Sequence, residues 1–138
     1  MNTGKKRRRR TMMFLNAQRP ALIRDPYIYK PDSIMLDLED AVAENQKDAA
    51  RFSLFHALRT NDYPGAERIV RINGLDTPFW KVDIRCAVPG RSDGIRLPNT
   101  EPAPYVNIVE HQILKAGHAF GRPDNSTFNQ SAKPTARR

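Results

Sequence analysis

The chain predicts an α/β fold in which four β-α units follow one another around a parallel sheet. Three observations carry that prediction. Short apolar runs alternate with amphipathic segments, the loops between them are short, and one run, Ile34 to Leu38, is apolar almost throughout. A strand of that last kind is covered on both faces, its usual state in a parallel sheet flanked by helices.

Met12 to Leu15 reads as the first strand, and Ala17 to Asp25 as a helix, because Arg19-Pro20 puts proline in the first turn, where it is tolerated. Lys30-Pro31-Asp32 is a turn, and Ser33 to Leu38 the second strand. Glu44 to Thr60 has the clearest helical pattern: Ala50, Leu54, Ala57 and Leu58 share one face, and Glu44, Lys47, Asp48 and Arg51 the other. Asn61 to Gly65 is a loop by composition. Arg68 to Ile72 is the third strand, ended by Asn73-Gly74. Thr77 to Ala87 reads as a helix with Phe79, Val82 and Cys86 inward, closed by Pro89-Gly90. Asp93 to Leu97 is the fourth strand, broken by Pro98. Thr100-Glu101-Pro102 opens a last helix with Val106, Val109 and Ile113 on one face.

Repeated β-α units imply right-handed crossovers. Four of them are half of a TIM barrel, whose usual length is about 250 residues. The expectation therefore divides between a small open α/β domain and part of a barrel. Beyond Gly121 the apolar periodicity stops, and no fifth strand can be drawn in it.

A chain of 138 residues makes one domain with a real core. The net charge of +8 resembles that of a nucleic-acid binder, but it is not evenly spread. Residues 1–10 hold six basic groups and residues 129–138 three; the rest of the chain carries 14 basic against 15 acidic side chains. The reading is a basic tail over 1–10, a folded body over 11–120 and an irregular tail over 121–138. Polyanion or nucleic-acid binding through Lys5 to Arg10 is the alternative function. No aromatic residues are interleaved there and no recognition motif is present, so a solvated tail is favoured. The single cysteine, Cys86, excludes an internal disulfide, and no Cys/His spacing suits zinc. No signal-peptide core or membrane-length apolar stretch is present, so a cytoplasmic location without membrane contact is expected.

The chemistry-bearing segment is Ile34 to Val42, IMLDLEDAV, with Asp37, Glu39 and Asp40 at the carboxyl end of an apolar strand. In α/β sheets that end faces the ligand. A single acid there would be read as a cap, with Asp40 capping a helix that starts near Ala41 and Glu39 solvated on a loop. Three acids beside so apolar a strand favour a site.

The segments IMLDLEDAV, VRING and IRLPNT, in this order and at these separations, resemble the HpcH/HpaI aldolase superfamily, the family of citrate lyase β subunits and of citryl-CoA and malyl-CoA lyases. The likeness includes RRRRTMMFL, the block YKPDSIMLDLEDAVAENQKDAAR and FGR near Gly121, and so covers roughly residues 7 to 127. It implies part of a TIM barrel and a Mg2+-dependent carbon-carbon lyase. The implied reaction is cleavage of a citryl thioester, on acyl carrier protein or CoA, to oxaloacetate and an acetyl thioester. The implied partners are the other citrate lyase subunits, with a homo-oligomer in full-length relatives. The resemblance makes Arg71, in VRIN, the substrate-binding residue, its planar fork suited to a carboxylate. Without the resemblance, an arginine between Val70 and Ile72 would be read as an ion pair inside a barrel. The resemblance makes Glu39 and Asp40 candidate catalytic residues that support the metal and its water without ligating it, and leaves Asp37 structural.

The departures are specific. Leu15-Asn16-Ala17 lacks the glycine of the family's first turn, and Asn99 replaces a lysine. The family's two magnesium ligands, a glutamate after the fifth strand and an aspartate after the sixth, have no counterpart, so no metal ligand is assigned. FNQSAKPTARR, where a fifth strand is expected, reads as an interrupted frame. The expectation is an incomplete, inactive fragment in which Ile34, Leu36, Val70 and Ile95 lack facing partners.

Overall fold

The computed structural model describes residues 8–98 and 103–119. β1 (Met12–Asn16) leads into α1 (Pro20–Arg24) and a 3₁₀ turn (Pro26–Tyr29); β2 (Ser33–Asp37) leads through a second 3₁₀ turn (Glu44–Gln46) into α2 (Lys47–Thr60). β3 (Glu67–Arg71) precedes α3 (Trp80–Ala87), and β4 (Gly94–Arg96) precedes α4 (Pro104–Ala119). The strands form one sheet in the order β1-β2-β3-β4, every neighbour parallel. Four β-α units in sequence order thus match the expectation. The start predicted for α4, at residues 100–102, lies outside the described residues, as do Asn99 and the segment from Gly121 onward.

Period-two alternation divides the sheet into two faces. Leu15, Ile34, Leu36, Val70, Ile72 and Ile95 turn toward the helices and join Leu54, Ile84 and Ile113 in one core. Ile34, Leu36 and Val70 are fully buried and Ile95 nearly so. The expectation that these four lack partners is therefore wrong: the helices cover them. The residues left open are on the other face, where Phe14 is 53% and Met12 38% exposed. That face is concave. Arg96 on β4 places Nη1 3.9 Å from Met12 Sδ on β1, and the Arg71 guanidinium of β3 stands 5.6 Å from the Phe14 ring centroid. Both contacts cross the sheet, so its two ends curl toward each other. β2 is buried at every position, as its apolar sequence required.

Two helix faces differ from expectation. Lys47 and Arg51, assigned to the solvent side of α2, are buried together with Ala50, Leu54, Ala57 and Leu58. On α3 the buried set is Trp80, Asp83, Ile84 and Ala87, while Val82 is exposed. The cause is common to both: Arg51 Nη1 donates to Asp83 Oδ1 at 2.8 Å, and this buried pair draws polar side chains into the interface of α2 with α3.

The end of the basic run is engaged. Arg9 donates to both carboxylate oxygens of Glu67 at 2.7 Å, and Arg10 donates to Asp32 at 3.1 Å from both Nε and Nη2. Residues 1–7 lie outside the described residues. Among the described residues, no helix is long and apolar enough to cross a membrane.

Candidate functional site

The carboxyl ends of β2 and β3 converge on one cluster. Register pairs Asp37 with Arg71, and side chains at paired positions project from the same face. Arg71 Nε donates to Asp37 Oδ1 at 2.9 Å and Nη2 to Oδ2 at 2.6 Å, a bidentate contact. Its Nη1 lies 3.0 Å from Glu39 Oε2, and Nη2 lies 3.6 Å from Asp40 Oδ2. All four charged residues singled out in the sequence are thus brought together. Asp37, read as structural, holds the arginine. Nε and Nη2 are committed to Asp37, and Nη1 faces Glu39.

The three acids differ in environment. Burial pushes the Asp37 carboxyl up, but hydrogen bonds from Arg71 and from the Glu39 N–H outweigh it, and the net shift is downward. Glu39 shifts upward, chiefly by burial, with the nearby Asp40 and Asp37 adding to it and Arg71 opposing. Its Oε2 is buried and receives no hydrogen bond, so the Arg71 contact at 3.0 Å is an ion pair without an aligned N–H. Asp40 is 78% exposed at the rim, and α2 begins without a side-chain cap, so Asp40 does not cap it.

The acidic turn is held by residues that the sequence reading did not assign to the site. Lys47 Nζ donates to the carbonyls of Leu38 and Glu39, both at 2.7 Å, and burial lowers its pKa. Asn73 Nδ2 donates to Leu38 O at 3.1 Å and to Asp83 Oδ2 at 2.6 Å. Asn16, in the turn that lacks the family's glycine, donates to Ala41 O at 2.7 Å. A signal for Lys47 was present: residues 47, 50, 51, 54 and 58 share one helical stripe, so Lys47 and Arg51 fall on the apolar face by spacing alone.

Beside the cluster, the loops after β2, β3 and β4 enclose a cleft of about 800 Å3 lined by Glu39, Asp40, Lys47, Asn73, Asp76 and Tyr105 among others. This is the ligand side of a parallel sheet. The described residues do not by themselves compose a magnesium site. Both oxygens of Asp37 serve Arg71, Glu39 offers one oxygen, and among the described residues no three His, Cys, Asp or Glu side chains converge to hold a metal.

Comparison with known proteins gives concordant matches. The family model described as HpcH/HpaI aldolase/citrate lyase matches residues 10–133. Citrate lyase subunit beta of Leuconostoc mesenteroides subsp. cremoris is 48% identical over 130 residues, covering 94% of this chain and 43% of that relative. Citrate lyase subunit beta of Haemophilus influenzae is 43% identical over 119 residues, covering 86% of this chain and 41% of the relative. Among solved structures, the citrate lyase beta subunit of M. tuberculosis complexed with oxaloacetate and magnesium superposes with a TM-score of 0.59 at 32% identity, covering 73% of this chain and 44% of that one. The chain thus spans less than half the length of each of these relatives.

Proposed function

The chain belongs to the HpcH/HpaI aldolase/citrate lyase family, and from that premise we propose that its acid-arginine cluster is the carboxylate-gripping part of a citrate lyase β-type site. The reaction is cleavage of a citryl thioester, carried on acyl carrier protein or CoA, to oxaloacetate and an acetyl thioester. The observation that carries the reading is the convergence of Arg71 with Asp37, Glu39 and Asp40 at the carboxyl ends of β2 and β3.

The chemistry is a retro-Claisen step. The tertiary hydroxyl loses its proton, the bond from the carbinol carbon to the thioester α carbon breaks, and the α carbon leaves as an enolate that is then protonated. Arg71 binds a substrate carboxylate and is itself aimed by Asp37. Glu39, raised in pKa chiefly by burial and with no hydrogen bond donated to its Oε2, is assigned as the proton acceptor. Asp40 at the rim orients water. Magnesium, present in the M. tuberculosis relative, finds no complete ligand set among the described residues. Other lyase subunits and like chains are the partners the reading implies, in the cytoplasm. Two of the six cations offered for polyanion binding, Arg9 and Arg10, are already paired with carboxylates, which favours the lyase reading over that alternative.

The test joins this chain to the portion of the Leuconostoc relative beyond their match and assays citryl-thioester cleavage with magnesium. The 138 residues alone should show no turnover. The joined protein should show it, and Arg71→Lys should lower kcat/KM by about a hundredfold, as expected for losing a bidentate charged contact. A well-folded joined protein without activity would refute the assignment.

A further inference from the structure

We infer that Arg96 is a second carboxylate-binding residue, which fixes the far carboxylate of an oxo-dicarboxylate and so sets the preference for dicarboxylate over monocarboxylate ligands. The inference rests on the site proposed above. Its starting point is a charge imbalance. Arg71 faces Asp37 at 2.6 Å, Glu39 at 3.0 Å and Asp40 at 3.6 Å, so three carboxylates surround one guanidinium. Lys47, the nearest other cation of the turn, spends its donors on two backbone carbonyls. A dianionic ligand entering such a site would meet net negative charge.

Arg96 offsets it. It is the register partner of Arg71 on the adjacent strand, so both side chains leave the same face of the sheet. Its flanking residues, Ile95 and Leu97, are buried in the helix-side core, which sends Arg96 to the concave face. There it is exposed, and its one described side-chain contact is with Met12 Sδ at 3.9 Å. Among the described residues it has no carboxylate partner. Neighbouring strands lie about 4.8 Å apart, so two side chains as long as arginine's can hold the two ends of a four-carbon diacid between them. Arg71 is the positioned guanidinium and Arg96 the uncommitted one, and a planar fork without an internal partner is the better donor for an incoming carboxylate.

Oxaloacetate and acetoacetate supply the test, because the second carries a methyl where the first has a carboxylate. Binding of each to the 138-residue chain is measured by calorimetry or ligand-observed NMR. The expected result is a preference for oxaloacetate of about tenfold or more in the unaltered chain, the yield of one charged hydrogen-bonded contact. Arg96→Met should reduce that preference to about twofold while acetoacetate affinity and the melting temperature hold, and Arg96→Lys should restore part of it. Retention of the full preference in Arg96→Met overturns the inference and leaves the Arg71 site standing. Failure of the unaltered chain to bind either ligand overturns the site and this inference together.

Discussion

Asp37 and Arg71 share a two-pronged contact on which both depend. Asp37 is nearly fully buried, and its two oxygens accept at 2.9 and 2.6 Å. Removing one partner strands the other's charge in a poorly solvated place, and that desolvation cost exceeds the value of the bond itself. Asp37→Asn should therefore lower stability by about 2–3 kcal/mol in urea titration, with the loss concentrated above pH 4. The sign follows from the direction of the shift. Asp37 is lowered from 3.8, so its contribution is present above that value and disappears as pH falls through the folded-state pKa. Glu39 is raised from 4.5 and acts in reverse: it costs stability as pH rises through its folded pKa, so Glu39→Gln should gain stability relative to the parent at pH 7 and not at pH 4. Urea midpoints at the two pH values check both; equal effects at both pH values would contradict the assigned environments. These acids were legible in the sequence because three carboxylates are out of place at the end of a buried strand. The commitment of Asp37 to the arginine was not legible, since it depends on the register of β2 with β3, which no local pattern encodes.

At the scale of elements, α2 ties the acidic turn to the core. Its first residue, Lys47, clamps two carbonyls, and one turn later Arg51 reaches Asp83 on α3, which in turn accepts from the Asn73 N–H at 2.9 Å. The result is a continuous polar chain from the Glu39 turn to the interface of α2 with α3. Lys47→Met keeps the length and apolar stem but leaves the Leu38 and Glu39 carbonyls with fewer donors; it should cost about 1–3 kcal/mol and speed hydrogen exchange in residues 38–42 more than in α4. The same interface half-buries Cys86, whose Sγ lies 3.2 Å from Arg51 O and whose pKa burial pushes up to about 12. Alkylation of the native thiol at pH 8 should then be slower than in the unfolded chain by on the order of a thousandfold. Helix positions were readable from apolar spacing, and helix faces only in part. Charged residues of α2 were assigned to solvent by type, whereas the Leu38 and Glu39 carbonyls compensate the burial of Lys47 and Asp83 on α3 compensates that of Arg51, so Lys47 and Arg51 both follow the geometric stripe instead.

For the whole molecule, the four-unit count followed from the alternation of apolar runs with amphipathic segments, but how far each face would be covered did not: β2 puts Ile34 and Leu36 on one face and Ser33, Met35 and Asp37 on the other, yet all five are buried. The helices cover one side, and the concave side keeps Phe14 at 53% and Met12 at 38% exposure beside Arg96. A parallel sheet with one helix-covered face and one partly apolar open face differs from the usual arrangement, in which both faces are covered. β1 and β4 are also its end strands, each with a row of backbone groups facing away from the sheet. Such a surface is adhesive. The 138-residue chain should bind a hydrophobic dye and self-associate with rising concentration. Phe14→Gln should weaken both, and because Phe14 lies outside the helix-side core, it should leave the thermal midpoint within a few degrees of the parent. Sedimentation and dye titration on the two proteins separate this from general instability. A poorly packed core would leave dye binding unchanged by Phe14→Gln, whereas an open barrel interior binds less dye once the ring beside Arg71 is gone.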